Sequence, residues 1–453
     1  MGIRFYAALW VCKAARLALR VLKRGGTTLP GKLAFKLCPD ILARLSSGVD
    51  TLIITGTNGK TTTSRMAEQI MLSARVPCIA NRSGANLMSG VVTEFADNVN
   101  LFGKKRLHHA VIECDEAAFA VVTKYLKPRA IAVTNIFRDQ LDRYGEVTHT
   151  LECIRTGIKN SAGAALCLNA DCPLTASLAQ SAAGEVTYFG MNVPSDKASG
   201  ALSDVPRCLR CGGSYEYDFR TFAHLGGWRC TDCDSRRPEP DVAVSAVASR
   251  GADETRAHFS AFGEALEITV PLPGDYNLYN AATALCVTHA MGIDSGTAAA
   301  GIEQAHCGFG RMERFDLGDI SVRMILVKNP AGCDRALDYL TGISEAHTCV
   351  FCLNDNIADG TDISWIWDAG FERLSFSEGK RFAVSGTRAE DMALRLKYAG
   401  AAEEDILKIR SEAQLLDFIE RSGENIYILP TYTAMLSLRD KLGARCGKER
   451  FWR

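Results

Sequence analysis

The sequence carries no excess of charge: 52 Lys and Arg balance 52 Asp and Glu, for zero net charge and a pI near 7.0. A protein built to hold a polyanion shows a basic surplus, so composition gives no argument for nucleic acid. There is no long apolar run either. Charges interrupt every hydrophobic stretch near the start of the chain, which excludes a bilayer-spanning helix there. No secretory leader, internal repeat or low-complexity tract is visible. The 17 cysteines are odd in number and scattered, so a disulfide framework is not expected and a reducing, cytoplasmic setting fits better. Acids are missing locally as well. Eight Lys and Arg lie within residues 1–38 and no acid precedes Asp40.

What is present is ordinary in bulk and specific in detail. With 453 residues, 47% hydrophobic and 23% charged, the chain reads as a globular protein of two or three domains. The stretch Phe5 to Leu22 has amphipathic character. It reads first as a basic helix packed on its own protein, and second as one lying on an anionic membrane surface. The decisive segment is Thr55-Gly56-Thr57-Asn58-Gly59-Lys60-Thr61-Thr62-Thr63. It follows the apolar run Leu52–Ile54 and opens a helical stretch. Strand, glycine turn and helix N-terminus together converge unpaired N–H groups and a helix dipole on an anion. Lys60 is placed to reach the outer phosphates of ATP or GTP, and the Thr61 hydroxyl to sit on Mg²⁺. Thr57, Asn58, Gly59 and Thr62 complete the loop. Ile54 stands where the usual pattern has its first glycine, so the loop is a shorter variant.

Short β-branched runs at Leu52–Ile54, Ala110–Glu113, Ala130–Asn135 and Ala164–Asn169 alternate with helical segments, which predicts a mainly parallel sheet with helices on both faces. Function in such sheets gathers at the strand C-terminal ends, which singles out Glu113, Asn135 and Asn169. Residues 195–240 lose apolar periodicity and predict no long element. They hold Cys208, Cys211, Cys230 and Cys233 as two C-x-x-C pairs, the donor set of a closed tetrahedral Zn²⁺ site with no open position for catalysis. After a return to strand and helix, a second alternation begins near residue 316, with strands at Ser321–Val327, His347–Leu353, Arg381–Val384 and Asn425–Leu429. The expected layout is a basic helical segment at 1–48, a central α/β domain at 49–315 with a zinc-ribbon insertion at about 200–240, and a smaller α/β domain at 316–453.

Several further motifs sit where a nucleotide enzyme needs them: Glu113 at a strand end for Mg²⁺, Thr134–Gly145 rich in carboxylates and arginines, Asn169-Ala170-Asp171, Asn277 and Asn280 three apart on an opening helix, and Gly310-Arg311-Met312-Glu313-Arg314. In this order they resemble the Mur ligase family, ATP-dependent enzymes that build the cell-wall peptide. The resemblance implies a Mur ligase-type central P-loop ATPase domain followed by a Rossmann-like C-terminal α/β domain. It also implies nucleotide contacts from Asn135, Asn169, Asp171, Asn277, Asn280 and Arg311. Three features depart from the family: only about fifty residues precede the loop, leaving no separate domain for a UDP-sugar precursor; the four-cysteine insertion is extra; and Gln140 stands where a histidine near a second metal is usual.

These departures are similar to one subgroup, whose members serve as the ligase-like half of a glutamine-dependent amidating enzyme. Leu326–Pro330 and Leu353–Asp368 resemble that subgroup's second domain. The resemblance implies ATP-driven conversion of the α-carboxylate of D-glutamate in the lipid II stem peptide to D-isoglutamine, through an acyl phosphate. Ammonia has to come from elsewhere, because no cysteine here has the Gly-x-Cys-x-Gly setting of a class I glutaminase nucleophile. A GatD-like glutaminase partner forming a heterodimer is therefore implied, with Asp355, Asp359 and Asp362 as alternatives for an acid lent to the partner's Cys-His pair. The implied location is cytoplasmic, with peripheral contact at the inner membrane face. Two rivals remain: a Mur or folylpolyglutamate-type ligase that adds an amino acid, and a non-catalytic ATP-binding scaffold.

Overall fold

The computed structural model describes every residue except 1, 23–25, 27, 83, 140–146, 195–203, 206, 307–310, 344, 375–379 and 448–453. Gln140 and the end of the Thr134–Gly145 motif lie outside the described residues. The contacts divide the chain into two units, residues 1–137 with 147–306, and residues 138–146 with 307–451.

The first unit opens with three helices, α1 (Ile3–Val21), α2 (Thr28–Leu37) and α3 (Ile41–Ser46). Then β1 (Asp50–Thr55), α4 (Lys60–Ser73), β2 (Ile79–Ala80), α5 (Met88–Asp97), β3 (His109–Glu113), α6 (Glu116–Val122), β4 (Ala130–Val133), α7 (Val147–Lys159), β5 (Ala165–Asn169), α8 (Pro173–Ser177) and β6 (Val186–Met191) alternate. A hairpin follows, β7 (Tyr215–Phe222) and β8 (Leu225–Cys230), then a meander, β9 (Val242–Arg250), β10 (Thr255–Ala261) and β11 (Glu264–Val270), and two helices, α9 (Tyr276–His289) and α10 (Ser295–Glu303). The main sheet runs β11-β10-β9-β6-β5-β4-β1-β3-β2. From β2 to β9 the pairings are parallel, and β10 and β11 add antiparallel strands at one edge. Central β1 and β4 are buried along almost their whole length, as strands covered on both faces require.

Residues 195–240 were expected to hold no long element, but the structure shows β7 and β8 there as a two-stranded antiparallel sheet. The signal is a period of two: Tyr215, Tyr217 and Phe219 alternate with Glu216, Asp218 and Arg220.

The second unit carries β12 (Arg311–Leu317), β13 (Ile320–Ile325), α11 (Pro330–Thr341), β14 (His347–Cys352), β15 (Lys380–Ser385), α12 (Ala389–Tyr398), β16 (Ile406–Lys408), α13 (Glu412–Arg421), β17 (Asn425–Pro430) and α14 (Tyr432–Arg445). Its sheet order is β12-β13-β17-β14-β15-β16, parallel apart from the β12–β13 pair. Strand parity splits its core in two. Cys349, Phe351, Tyr427 and Leu429 pack with Leu337 of α11 and Leu396 of α12, whereas Val350, Cys352, Ile426 and Ile428 pack with Leu416 of α13 and Leu438 of α14.

Candidate active site

The loop after β1 is shaped by two glycines. Gly56 has φ +115° and Gly59 has φ +89°. A Cβ at Gly59 would lie 2.2 Å from Asn280 Oδ1, and one at Gly56 would lie 2.5 Å from Thr134 Oγ1. The loop is therefore pressed between the β4 exit and the start of α9. Asn135 holds it from one side: the Asn58 N–H donates to Asn135 Oδ1 (3.0 Å), Asn135 Nδ2 donates to the Asn58 carbonyl (3.1 Å), and the Thr57 N–H donates to the Asn135 carbonyl (2.8 Å). Thr134 Oγ1 also donates to the Asn58 carbonyl (2.7 Å). From the other side, Asn277 Nδ2 donates to the Pro273 carbonyl, Asn280 Nδ2 donates to Asn277 Oδ1, and Thr63 Oγ1 meets Asn280 Oδ1 at 3.4 Å.

Helix α4 begins at Lys60 with no side-chain cap and no acid in its first turn. A helix start of this kind, with its dipole, suits an anion. Lys60 is buried, 6% exposed. Its ammonium donates to the carbonyls of Gly56 and Thr57 and pairs with Glu116 Oε2 at 3.1 Å. Glu116, at the start of α6, had no assigned role in the sequence reading, which placed the metal-binding acid at Glu113. Glu113 ends β3, where the main chain of the strand bonds to Asn81 and Asn86 Nδ2 donates to Glu113 Oε1 at 3.2 Å. Neither the Thr61 hydroxyl nor Glu113 Oε2 has a protein hydrogen bond among the described residues, and both are hard oxygen donors suited to Mg²⁺.

Asn169 and Asp171 follow β5. Asn169 Nδ2 donates to the Thr134 carbonyl at 2.9 Å, one residue from the contacts that hold the loop. Asp171 is fully buried, and both its oxygens have protein donors: Arg237 Nε at 2.6 Å on one, Tyr279 Oη and the Met191 N–H on the other. Burial pushes this carboxyl up, while Arg237 and Tyr279 act in the opposite direction. Its contacts join α9 to the cysteine-bearing hairpin. The Gly226 N–H donates to the Asp171 carbonyl, and Trp228 Nε1 donates to the Ala170 carbonyl.

The Sγ atoms of Cys208, Cys211, Cys230 and Cys233 all lie within 4.8 Å of one another. The N–H groups of Gly213 and Asp232 point at Cys211 Sγ and Cys230 Sγ, each at 3.4 Å.

In the second unit, Arg311 opens β12 and is half-buried. Lys328 pairs with Asp139 at 2.6 Å, and Asn329 donates to the same carboxylate while capping α11. The loop after β14 separates the three aspartates. Asp359 is 3% exposed, and both its oxygens receive hydrogen bonds from Thr433, capping α14. Asp362 accepts from the Ser364 N–H. Asp355 is half-buried; Thr387 Oγ1 donates to its Oδ1 at 2.9 Å, and Arg388 is 3.7 Å from its Oδ2.

A nucleotide-binding loop at a sheet C-terminal edge, followed by a second α/β unit, defines a ligase of the Mur type. Residues 54–208 match the Mur ligase middle domain, and residues 326–435 match the MurT ligase C-terminal domain. MurF from Acinetobacter baumannii shares the fold with a TM-score of 0.67 at 16% identity, covering 91% of this chain and 79% of that one. Folylpolyglutamate synthase of Mycobacterium tuberculosis, in complex with ADP and AMPPCP, does so with a TM-score of 0.61 at 15% identity, covering 89% and 93%. The MurT subunit of lipid II isoglutaminyl synthase from Streptococcus pneumoniae is 33% identical, covering 98% of each chain. Its counterpart in Staphylococcus aureus is 33% identical over 97% of this chain and 98% of its own. The chain belongs to this MurT family and is an ATP-dependent ligase of Mur type.

Proposed function

We propose that this chain amidates the α-carboxylate of D-glutamate in the lipid II stem peptide, giving D-isoglutamine, with ammonia supplied by a GatD-like glutaminase in a heterodimer. The observation that carries this reading is the uncapped start of α4 with Lys60 buried beside it, in a chain matched end to end by subunits of that name.

A carboxylate resists ammonia because its carbon is a poor electrophile and its oxygen a poor leaving group. Transfer of the γ-phosphoryl group of ATP to the carboxylate oxygen gives an acyl phosphate. Ammonia then attacks the carbonyl carbon, and inorganic phosphate leaves. Positioning and charge neutralisation dominate such a transfer. The N–H groups at the start of α4 hold phosphate oxygens, and Lys60, handed over from Glu116, neutralises the outer charge. Thr61 and Glu113 are the residues to hold Mg²⁺, which when bound offsets charge on the migrating phosphoryl group. Asn58, Asn135, Asn277 and Asn280 fix the loop; Asn169 and Asp171 position the elements behind it. The resemblance to the Mur ligase family assigns Arg311 to the nucleotide.

The four cysteine sulfurs fit Zn²⁺ in donor type and spacing, and such a site staples the β7–β8 hairpin rather than doing chemistry. Among the three aspartates, Asp355 is the one we assign to orienting the partner's imidazole. Asp359 would have to abandon the α14 cap to do so. No helix among the described residues is long and apolar enough to cross a membrane. We place the chain in the cytoplasm at the inner membrane face, where its lipid-linked substrate lies.

The test supplies ammonium chloride as sole nitrogen donor to the chain with its partner, lipid II, ATP and Mg²⁺, and reads the product by mass spectrometry. Replacement of one carboxyl hydroxyl by an amino group is expected. No product, or product only when a free amino acid is added, would defeat the reading.

A further inference from the structure

We propose that α1, together with the turn Leu101–Phe102, is a docking face that seats the protein flat on an anionic membrane surface. The inference rests on the functional reading above only for its purpose, and its geometry stands apart from the nucleotide site. Along α1, Phe5, Ala8, Leu9 and Cys12 are buried against the body of the unit. Ile3, Ala7, Trp10, Ala14, Leu17 and Val21 recur at alternating spacings of four and three, which places them on a single stripe. All six are exposed, with Ile3 at 90%, Leu17 at 64% and Val21 at 74%. A helix pays for such a stripe only where something covers it.

The turn extends the stripe. Trp10 Nε1 donates to the Leu101 carbonyl at 2.9 Å, and Tyr6 Oη reaches the Phe102 carbonyl at 3.5 Å, so the turn is tied to α1 while Phe102 itself stands 80% exposed. Leu29, Leu33 and Leu37 of α2 are exposed as well.

The charge around this face selects the occupant. Residues 1–38 carry eight Lys and Arg and no acid, and Lys104, Lys105 and Arg106 follow the turn. The nearby Asp97 is already engaged by Arg16 at 3.3 Å and Arg20 at 3.7 Å. Apolar and aromatic side chains rimmed by cations suit the boundary between acyl chains and acidic headgroups, where each added cation near the surface strengthens attachment. A helix of 19 residues that is not long and apolar enough to cross a membrane can lie in that plane.

The experiment is flotation of the full chain with its glutaminase on vesicles of phosphatidylcholine, with and without phosphatidylglycerol. The variants are Leu17→Glu with Val21→Glu, which break no contact described above, and a second set adding Phe102→Glu. Flotation with the anionic vesicles is expected, falling about tenfold or more in both variants and on raising salt. Amidation of a soluble stem peptide stays unchanged, which shows the variants are folded. Absence of flotation, or equal flotation by wild type and variants, overturns the docking face. So does a drop in the mass of the complex in the variants, since a second copy or a protein partner would then occupy the stripe. Retained, variant-sensitive flotation with no amidation of the soluble peptide would support docking and defeat the functional reading alone.

Discussion

Gly59→Ala isolates what the nucleotide loop demands of its backbone. At φ +89° an L side chain is strained by roughly 1–2 kcal/mol. The new methyl would also stand 2.2 Å from Asn280 Oδ1, so Asn280 must swing away and give up its bond to Asn277 and its contact with Thr63. At about 1 kcal/mol for each, the sum is roughly 3–4 kcal/mol. If that energy is taken from ATP binding, affinity falls by about 10²- to 10³-fold. Asn280→Ala alone loses the hydrogen bonds and no more, a drop of about tenfold or somewhat greater. In the double variant the clash is gone. Adding Gly59→Ala to an Asn280→Ala background therefore costs only the backbone strain, about tenfold, and the cycle is strongly non-additive. Calorimetric titration with ATP and Mg²⁺ measures all four corners. Wild-type affinity in Gly59→Ala, or simple additivity of the two changes, would refute the packing of α9 against the loop as the reason for this glycine.

Asp355→Asn is expected to reduce glutamine-dependent amidation by roughly a hundredfold or more, while ammonium-dependent amidation stays at the wild-type rate; comparing the two nitrogen donors in one assay checks it. Cys230→Ser is expected to abolish zinc retention and to raise hydrogen exchange across Tyr215–Cys230, read by metal analysis and mass spectrometry, with far smaller changes in the second unit. Glu94 gives a pH dependence. Burial, partly opposed by Arg16 and reinforced by Asp97, pushes its carboxyl from 4.5 up to about 7, with Arg20 and Arg82 also facing it. A raised folded-state value means that this group's contribution is fully present below pH about 4.5 and is lost as pH rises through about 7. Glu94→Gln removes that loss, so the variant should gain about 1–3 kcal/mol over wild type above neutrality and little below pH 4.5, as read by denaturant unfolding at several pH values.

The chain advertised its parallel core because β1, β3, β4 and β5 are short, largely apolar and closed by polar residues, and each was readable from that pattern. The four cysteines were equally legible, since thiolate spacing is a local property. The β7–β8 hairpin was hidden by composition: Gly, Arg and Cys around it drew attention from the alternation in Tyr215–Arg220. Strand β10 was missed for a different reason: of its buried positions Thr255, Ala257, Phe259 and Ala261, only Phe259 is large and apolar, too little to stand out as an apolar face. At the site, the importance of Glu116 was invisible because its partner Lys60 is 56 residues away in sequence. The hydrogen bonds that occupy Asp171 come from Arg237 and Tyr279, far along the chain. A motif can mark such a position without revealing which partners it holds. The three aspartates were indistinguishable as letters; only the α14 cap, formed with Thr433, sets Asp359 apart.

The most direct measurement follows ADP release by the chain with its partner, ATP, Mg²⁺ and ammonium, with and without a soluble stem peptide bearing the free D-glutamate α-carboxylate, in wild type and Lys60→Ala. The account predicts release that depends on the carboxylate acceptor and that Lys60→Ala reduces by about 10³-fold or more. ADP release that ignores the acceptor, or that survives loss of the Lys60 ammonium, would contradict it.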